Sequence, residues 1–178
     1  MANSQYLFCP LCGAKLEDQA RYGAVRRACP ACGFVHFLDP KVAVIGLVHH
    51  QGRVLLAKRA VDPAKGKWAL PGGFMDAGEM PEAALGRELM EEVGMAVRVE
   101  RLLQIFPMTG HGPVSRGIVL AYLARPALDP PPVLHAQDDI DDVGWFGLTD
   151  LPGELAFEST RTLLDLFGTY KNTEANAG

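Results

Sequence analysis

The sequence lacks any long apolar run, which excludes one class of protein at the outset. No stretch of its 178 residues approaches the roughly 20 apolar residues that a membrane-spanning helix requires. The N-terminal residues, MANSQYLF, contain neither the basic region nor the apolar region of a secretory signal. We therefore expect a cytoplasmic protein with no membrane partner.

An excess of positive charge is absent as well. The chain holds 17 Lys and Arg against 21 Asp and Glu, for a net charge of -4 and an isoelectric point near 5.7. Binding to a polyanion usually requires a basic stripe, and the three arginines between Arg21 and Arg27 are too few to form one. The charge balance therefore argues against a nucleic acid partner.

Cysteine is scarce, but all four cysteines fall into one pattern. Two C-x2-C pairs, Cys9 with Cys12 and Cys29 with Cys32, are separated by sixteen residues. Two disulfides would require an oxidising compartment, and a redox pair would require a single C-x-x-C in a βαβ context. The spacing favours a zinc ribbon, whose four thiolates leave no open position, so the Zn²⁺ would be structural. His36 is a candidate replacement ligand, although we expect it to be an ordinary strand residue.

One segment, from Gly73 to Met95, carries most of the chemical information and reads GFMDAGEMPEAALGRELMEEVGM. Pro81 suits the first turn of a helix and Gly94 suits a left-handed cap, so the segment predicts a helix from about Pro81 to Val93. At about 100° per residue, one side of this helix should pack and the other should collect negative charge. The acidic arc consists of Glu88, Glu91 and Glu92. The packing side consists of Leu85, Leu89, Met90 and Val93.

The acidic arc predicts a cation. Three like charges within about one turn repel each other, and carboxylate oxygens are ligands for hard divalent ions such as Mg²⁺ or Mn²⁺. The alternative is a solvated acidic face, which is the ordinary interpretation of E-x-x-E-E alone. The preceding Leu70-Pro71-Gly72-Gly73 favours the metal site, because paired glycines let the main chain approach an ion or a phosphate closely.

The same segment, which we call the box, matches G-x5-E-x7-R-E-U-x-E-E-x-G-U, where U is a bulky aliphatic residue, at every fixed position. By this pattern the chain resembles the Nudix hydrolases, metal-dependent enzymes that cleave a nucleoside diphosphate linked to another group. The resemblance implies that the carbonyl of Gly73, or of its neighbour Gly72, binds the metal together with the acidic arc. It also implies that Glu79 and Arg87 pair to tie the loop to the helix.

The remainder of the chain predicts an α+β fold with helices on either side of the sheet, preceded by a small zinc-ribbon module. The resemblance implies that this fold is the Nudix α/β/α sandwich around a mixed sheet. We expect a zinc ribbon at residues 1–38, a Nudix domain at 39–171 and a flexible tail at 172–178. The predicted strands cover about 42–48, 53–58, 96–106, 118–125 and 143–146, with a hairpin turn at Gln51-Gly52 and a second helix over 158–167. The sequence leaves open whether the protein forms a homodimer.

The ribbon, the Asp39-Pro40-Lys41 entry and the run Leu155-Ala-Phe-Glu-Ser159 resemble the ADP-ribose and FAD pyrophosphatase-like group. This resemblance implies divalent-metal-dependent cleavage of the diphosphate of ADP-ribose or FAD, with release of AMP. Arg59, Lys67 and Arg116 are candidate partners for the substrate phosphates. The general base is open between the acidic arc and a later loop, where Asp138, Asp139 and Glu154 are candidates.

Two other functions compete with this expectation. NADH pyrophosphatases combine a ribbon with a Nudix domain, but they carry S-Q-P-W-P-F-P-x-S shortly after the box, where this chain has LQIFPMT at 103–109. A non-catalytic nucleotide sensor, with the ribbon as an interaction module, is the other alternative. The intact set of carboxylates argues against a sensor.

Overall fold

The computed structural model describes residues 6–108 and 117–175, with side chains described through Thr169. The chain divides into two compact units. The first, here called the N-terminal unit, holds the described residues up to Lys41 together with Met108 and Gly117, and the larger unit holds the other described residues. None of the helices formed by the described residues has the length and apolar character needed to cross a bilayer.

The N-terminal unit is built from one hairpin and two similar loops. Strands β1 (Glu17–Arg21) and β2 (Ala24–Ala28) pair antiparallel around a two-residue turn. In each loop a cysteine amide bonds a carbonyl five residues later, and a glycine amide bonds back to the cysteine carbonyl. Among the described residues of this unit, the buried cluster consists of Cys9, Leu16 and Cys29, so it is a very small core.

The larger unit contains one sheet and two helices. The strands are β3 (Lys41–His50), β4 (Arg53–Arg59), β5 (Trp68–Ala69), β6 (Val97–Pro107), β7 (Gly117–Pro126) and β8 (Ile140–Phe146). Their order is β5-β4-β3-β7-β6, and β8 pairs antiparallel with β4. The helices are α1 (Pro81–Val93) and α2 (Glu158–Ala175).

The sheet is apolar on both faces because alternate residues of its central strands point to opposite sides. On β4, Leu55 packs into the cluster that contains α1, while Val54 and Leu56 pack into the cluster that contains α2. The same alternation occurs on β7, where Tyr122 faces the α1 side and Leu123 the α2 side. A helix on each face confirms the predicted α/β/α sandwich.

Most predicted elements are confirmed. Helix α1 has the predicted limits, Gly94 adopts the left-handed cap with φ of 69°, and the β3–β4 turn lies at Gln51-Gly52. Helix α2 begins at Glu158 but continues to Ala175 rather than ending at Phe167. No proline follows Phe167 to stop the helix, so part of the predicted tail is helical.

Candidate active site

The packing side of α1 differs from the predicted one at two positions. Ala84, Leu85, Leu89 and Val93 are buried against the sheet, but Met90 is 48% exposed. Glu92, predicted on the charged side, is only 3% exposed. Glu92 therefore lies at the border between the apolar face and the acidic arc, where a carboxylate requires a specific partner.

That partner is the main chain of residues 71–75, which we call the glycine loop. Residues 71–75 run extended along β3: Gly46 donates to the Pro71 carbonyl at 2.9 Å and Val44 to the Gly73 carbonyl at 2.8 Å. Between them, the amide of Gly72 donates to Glu92 Oε2 at 2.9 Å. The loop thus joins the sheet to the buried carboxylate of α1.

Both glycines of the loop are required by close contacts. A Cβ on Gly72 would lie 2.2 Å from the carbonyl oxygen of Val44, and Gly72 has a φ of 137°, which side chains rarely tolerate. A Cβ on Gly73 would lie 2.4 Å from Glu88 Oε2. The absence of two side chains therefore lets the loop touch both β3 and the Glu88 carboxylate.

Arg87 connects the loop, the helix and the acidic arc. Its Nε and Nη2 donate to the two oxygens of Glu79 at 3.0 and 2.9 Å, which is a bidentate pair. Its Nη1 donates to Glu88 Oε1 at 2.8 Å and to Glu91 Oε2 at 3.0 Å, and Nη2 also donates to the carbonyl of Phe74. One guanidinium therefore orients three carboxylates.

The protein environment shifts the pKa values of these carboxylates in opposite directions. Burial, reinforced by the charges of Asp139 and Glu88 and opposed by the Gly72 hydrogen bond, raises the pKa of Glu92 to about 8. Burial also raises the pKa of Glu88, against the hydrogen bond from Arg87. The pKa of Glu79 is instead lowered by its hydrogen bonds from Arg87 and from the Asp76 amide. In Glu88 and Glu92, therefore, nearby positive charge does not fully compensate the ionised carboxylate.

A loop distant in sequence brings a fourth carboxylate to the site. The Asp139 charge raises the pKa of both Glu88 and Glu92. Arg59 lies beside it, with Nη2 4.0 Å from Asp139 Oδ2, and the Arg59 charge lowers the pKa of Glu92. Arg59 is held by a 2.8 Å hydrogen bond from Nε to the carbonyl of Pro63 and lies over the ring of Phe157. Asp139 and Arg59 thus belong to the same electrostatic cluster as Glu92.

The other predicted residues have different surroundings. The Lys67 side chain is exposed, and its carbonyl accepts a hydrogen bond from the Arg59 amide. Asp138 and Glu154 are exposed, and Glu154 contributes its carbonyl to the Trp68 amide. Arg116 lies outside the described residues.

The donor set at α1 fits a divalent cation. Glu92 is a buried acid whose pKa is raised, and Glu88 and Asp139 add negative charge nearby. Hard ions accept carboxylate oxygens of this kind, and a bound cation would stabilise the ionised form of these acids. Among the described residues, these carboxylate oxygens do not converge as closely as the cysteine sulfur atoms described next.

The four cysteines form a second metal-binding group. Their sulfur atoms all lie within 4.8 Å of one another, and among the side chains of residues 6–108 and 117–169 no other three His, Cys, Asp or Glu ligands converge so closely. The contacts are 3.6 Å between Cys9 and Cys32 and 3.5 Å between Cys12 and Cys29. These distances exclude disulfides and resemble the roughly 3.8 Å edges of a tetrahedron with Zn–S bonds of about 2.3 Å. His36 is not a member of the group; its ring packs against Tyr6.

A glycine loop that runs along β3, set against a helix that carries the buried carboxylate of Glu92 and the partly buried carboxylate of Glu88, is typical of metal-dependent phosphoanhydride hydrolases. The family model of the NUDIX domain matches residues 38–167. The chain therefore belongs to the Nudix family and is a Nudix pyrophosphohydrolase.

Three proteins show what this chain is similar to. An ADP-ribose pyrophosphatase of Methanocaldococcus jannaschii is 36% identical over 129 residues, covering 72% of this chain and 74% of that protein. An NAD-capped RNA hydrolase NudC of Chromobacterium violaceum is 34% identical over 146 residues, covering 82% of this chain but 52% of that protein. The crystal structure of a NUDIX hydrolase from Nitrosomonas europaea superimposes with a TM-score of 0.76 and 29% identity, covering 87% of this chain and 86% of that one.

Proposed function

We propose that the protein hydrolyses the diphosphate bridge of ADP-ribose or FAD and releases AMP. The observation that carries the proposal is the buried Glu92 beside the Gly72 amide, within one electrostatic cluster with Glu88, Asp139 and Arg59. The substrate class is supported by the similarity to an ADP-ribose pyrophosphatase over most of both chains.

The proposed catalytic ion is Mg²⁺ or Mn²⁺, held by Glu88 and Glu92, with Glu91 as a further ligand or a positioner of water. A bound divalent ion would neutralise the diphosphate and lower the pKa of an attacking water. The main-chain ligand is better assigned to Gly72 than to Gly73. The carbonyls of Pro71 and Gly73 both accept hydrogen bonds from β3, which leaves the Gly72 carbonyl between them for the site.

Two residues outside the box complete the proposed reaction. Asp139 is the general base: it accepts a proton as water forms a bond to phosphorus and the bridging P–O bond breaks. Arg59 is the phosphate partner, because its guanidinium is already fixed beside Asp139 by the Pro63 carbonyl. Lys67 and Arg116 remain weaker candidates for the same role.

The proposed ion at the four cysteines is Zn²⁺ in a structural role, supported by the sulfur distances. Four cysteines without disulfides also support the prediction of a reducing, cytoplasmic location.

The decisive experiment measures AMP release from ADP-ribose, FAD, NADH, an NAD-capped RNA oligonucleotide and diadenosine polyphosphates, with and without Mg²⁺ or Mn²⁺. We expect ADP-ribose or FAD to have the highest kcat/KM. NADH is the second candidate, since relatives of similar identity act on an NAD-capped end. NADH as the best substrate would overturn the choice, and no cleavage with any divalent ion would favour a nucleotide sensor.

Variants test the assigned residues in the same assay. Glu92→Gln keeps an acceptor for the Gly72 amide but removes the charge, so turnover should fall by roughly a hundredfold or more. Asp139→Asn should lower kcat by roughly a hundredfold with little change in KM, whereas its exposed neighbour in Asp138→Asn should retain activity. Equal activity of the two aspartate variants would contradict the assignment of the base.

A further inference from the structure

The turn of the N-terminal hairpin carries an exposed aromatic and cationic surface. This hairpin-tip surface consists of Arg21, Tyr22, Arg26 and Phe37. Tyr22 is 76% exposed and Phe37 is 47% exposed. Neither ring belongs to the buried cluster of this unit, so their positions are not explained by core packing.

Three of these side chains, Tyr22, Phe37 and Arg26, form a preorganised stack. The rings of Tyr22 and Phe37 lie 5.7 Å apart with an interplanar angle of 35°, and the Arg26 guanidinium lies 4.9 Å from the centre of the Phe37 ring. Arg26 also donates hydrogen bonds to the carbonyls of Arg21 and Tyr22, which fixes it at the turn. A planar group could therefore stack here without first ordering the surface.

Tyr22 occupies a backbone position that is unfavourable for tyrosine. It has a φ of 49° and is followed by Gly23 with a φ of 75°, the pattern of a two-residue hairpin turn that prefers Asn-Gly. A bulky side chain in the left-handed region costs stability, and such strain occurs at functional positions. The turn would be more stable with asparagine, so the aromatic ring is not there to stabilise the fold.

The net charge of the whole chain conceals a local excess of positive charge. Residues 1–41 hold five Lys and Arg against three Asp and Glu, whereas the other 137 residues hold 12 against 18. Residues 19–38 contain three arginines and no acid. Arg27 pairs with Asp18 at 3.4 Å, which leaves Arg21 and Arg26 as the cations of the surface.

The cysteine cluster does not cancel this charge at the turn. Four thiolates with one Zn²⁺ would carry negative charge near Cys29. Tyr22 is six residues from the end of β2, or about 20 Å along an extended strand. This distance exceeds the screening length of about 8 Å at physiological salt.

We propose that the hairpin-tip surface binds single-stranded RNA. Unpaired bases would stack on Tyr22 and Phe37, while Arg21 and Arg26 would contact adjacent phosphates. Duplexes are excluded because their bases are already stacked internally, and cellular RNA offers unpaired bases where cellular DNA is mostly duplex. This binding is independent of the proposed hydrolysis, and it revises the expectation that the net charge excludes nucleic acid.

The test uses the zinc-loaded full chain and fluorescence anisotropy with a labelled 20-nucleotide RNA, without Mg²⁺. Tyr22→Asn should weaken binding by roughly tenfold or more, since one stacked base contributes about 1–3 kcal/mol, while Tyr22→Trp should retain it. Arg21→Gln should reduce the slope of log K against log salt by about 0.7, the value for one phosphate on a single strand. The matched change Arg98→Gln, on an exposed residue of β6, should leave both quantities unchanged.

Tyr22→Asn suits the backbone of the turn, so loss of binding cannot be attributed to an unfolded hairpin. Its zinc content should equal that of the wild type. The proposal is overturned if Tyr22→Asn binds RNA as the wild type does, if a duplex of the same length binds as tightly, or if single-stranded DNA binds more tightly than RNA. It is also overturned if no RNA binds at low salt, which would assign the surface to a protein partner.

Discussion

At the scale of single residues, Gly72 and Gly73 are adjacent but serve different contacts. Gly72 is required by the main chain of β3, because an added Cβ would meet the Val44 carbonyl. Gly73 is required by the carboxylate of Glu88. Alanine should therefore affect stability at the first position and chemistry at the second.

We expect Gly73→Ala to fold but to displace the Glu88 carboxylate from its contact with Arg87. A displacement of about 1 Å at Glu88, the proposed metal ligand, should lower kcat by roughly tenfold to a hundredfold. Steady-state kinetics over a range of Mg²⁺ concentrations would measure the loss, and thermal unfolding of the metal-free protein would show little change. Gly72→Ala is the comparison, since its clash with backbone cannot relax and should lower the melting temperature more. The reverse ranking of the two melting temperatures would contradict this assignment.

Glu79 is expected to stabilise the fold rather than take part in the reaction. Its pKa is lowered by Arg87, so its contribution to stability is complete above its unfolded pKa and is lost as pH falls through the lowered folded pKa. Glu79→Gln should therefore be less stable than the wild type near neutral pH, and the difference should shrink under acidic conditions. Urea unfolding of both metal-free proteins across this range is the measurement. A difference that grows on acidification would have the wrong sign.

At the scale of elements, the sequence predicts where α1 begins and ends better than it predicts which residues it buries. Pro81 and Gly94 act locally, so the limits of α1 follow from the chain itself. The burial of Glu92 depends on the Gly72 amide, twenty residues away, and an arc drawn on an isolated helix contains no such partner. The same arc wrongly predicts that Met90 packs, since its side chain is 48% exposed.

The position of Asp139 has a similar cause. The chain after β7 returns to the end of α1, where the amides of His135 and Gln137 donate to the carbonyls of Val93 and Glu92. A turn closed by Ile140 and Gln137 then directs Asp139 to the site. The sequence identifies three acidic loop residues as candidates for the general base. Only the hydrogen bonds of the folded chain show which of them lies at the site.

Leu89 and Met90 provide a direct test of the packing side of α1. Leu89 is fully buried in the core cluster, so Leu89→Ala should reduce the free energy of unfolding by about 2–5 kcal/mol. Met90→Ala removes a half-exposed side chain and should change it by about 0.5 kcal/mol or less. Chemical denaturation of both variants compares the two values directly. Similar losses at both positions would mean that α1 is rotated relative to this description.

At the scale of the whole molecule, the two units differ in what holds them together. The larger unit has an apolar cluster on each face of its sheet. Among its described residues, the N-terminal unit buries two cysteines, one leucine and one alanine, with Ala14 and Phe34 partly buried beside them. Units of about 40 residues with so small a core usually require a metal or disulfides to fold.

The final prediction follows from this difference in core size. Cys29→Ser removes one thiolate, so the protein should lose its zinc, and the residues before Asp39 should unfold because metal binding supplies their folding free energy. The larger unit retains both of its apolar clusters, so hydrolysis of a small nucleotide should persist at least in part. Elemental analysis, limited proteolysis and the AMP-release assay would report the three outcomes separately. Ala31→Ser, which adds a hydroxyl between the two cysteines of the same loop without removing a ligand, should retain about one zinc per chain. Intact residues before Asp39 in zinc-free Cys29→Ser would show that the hairpin folds without metal.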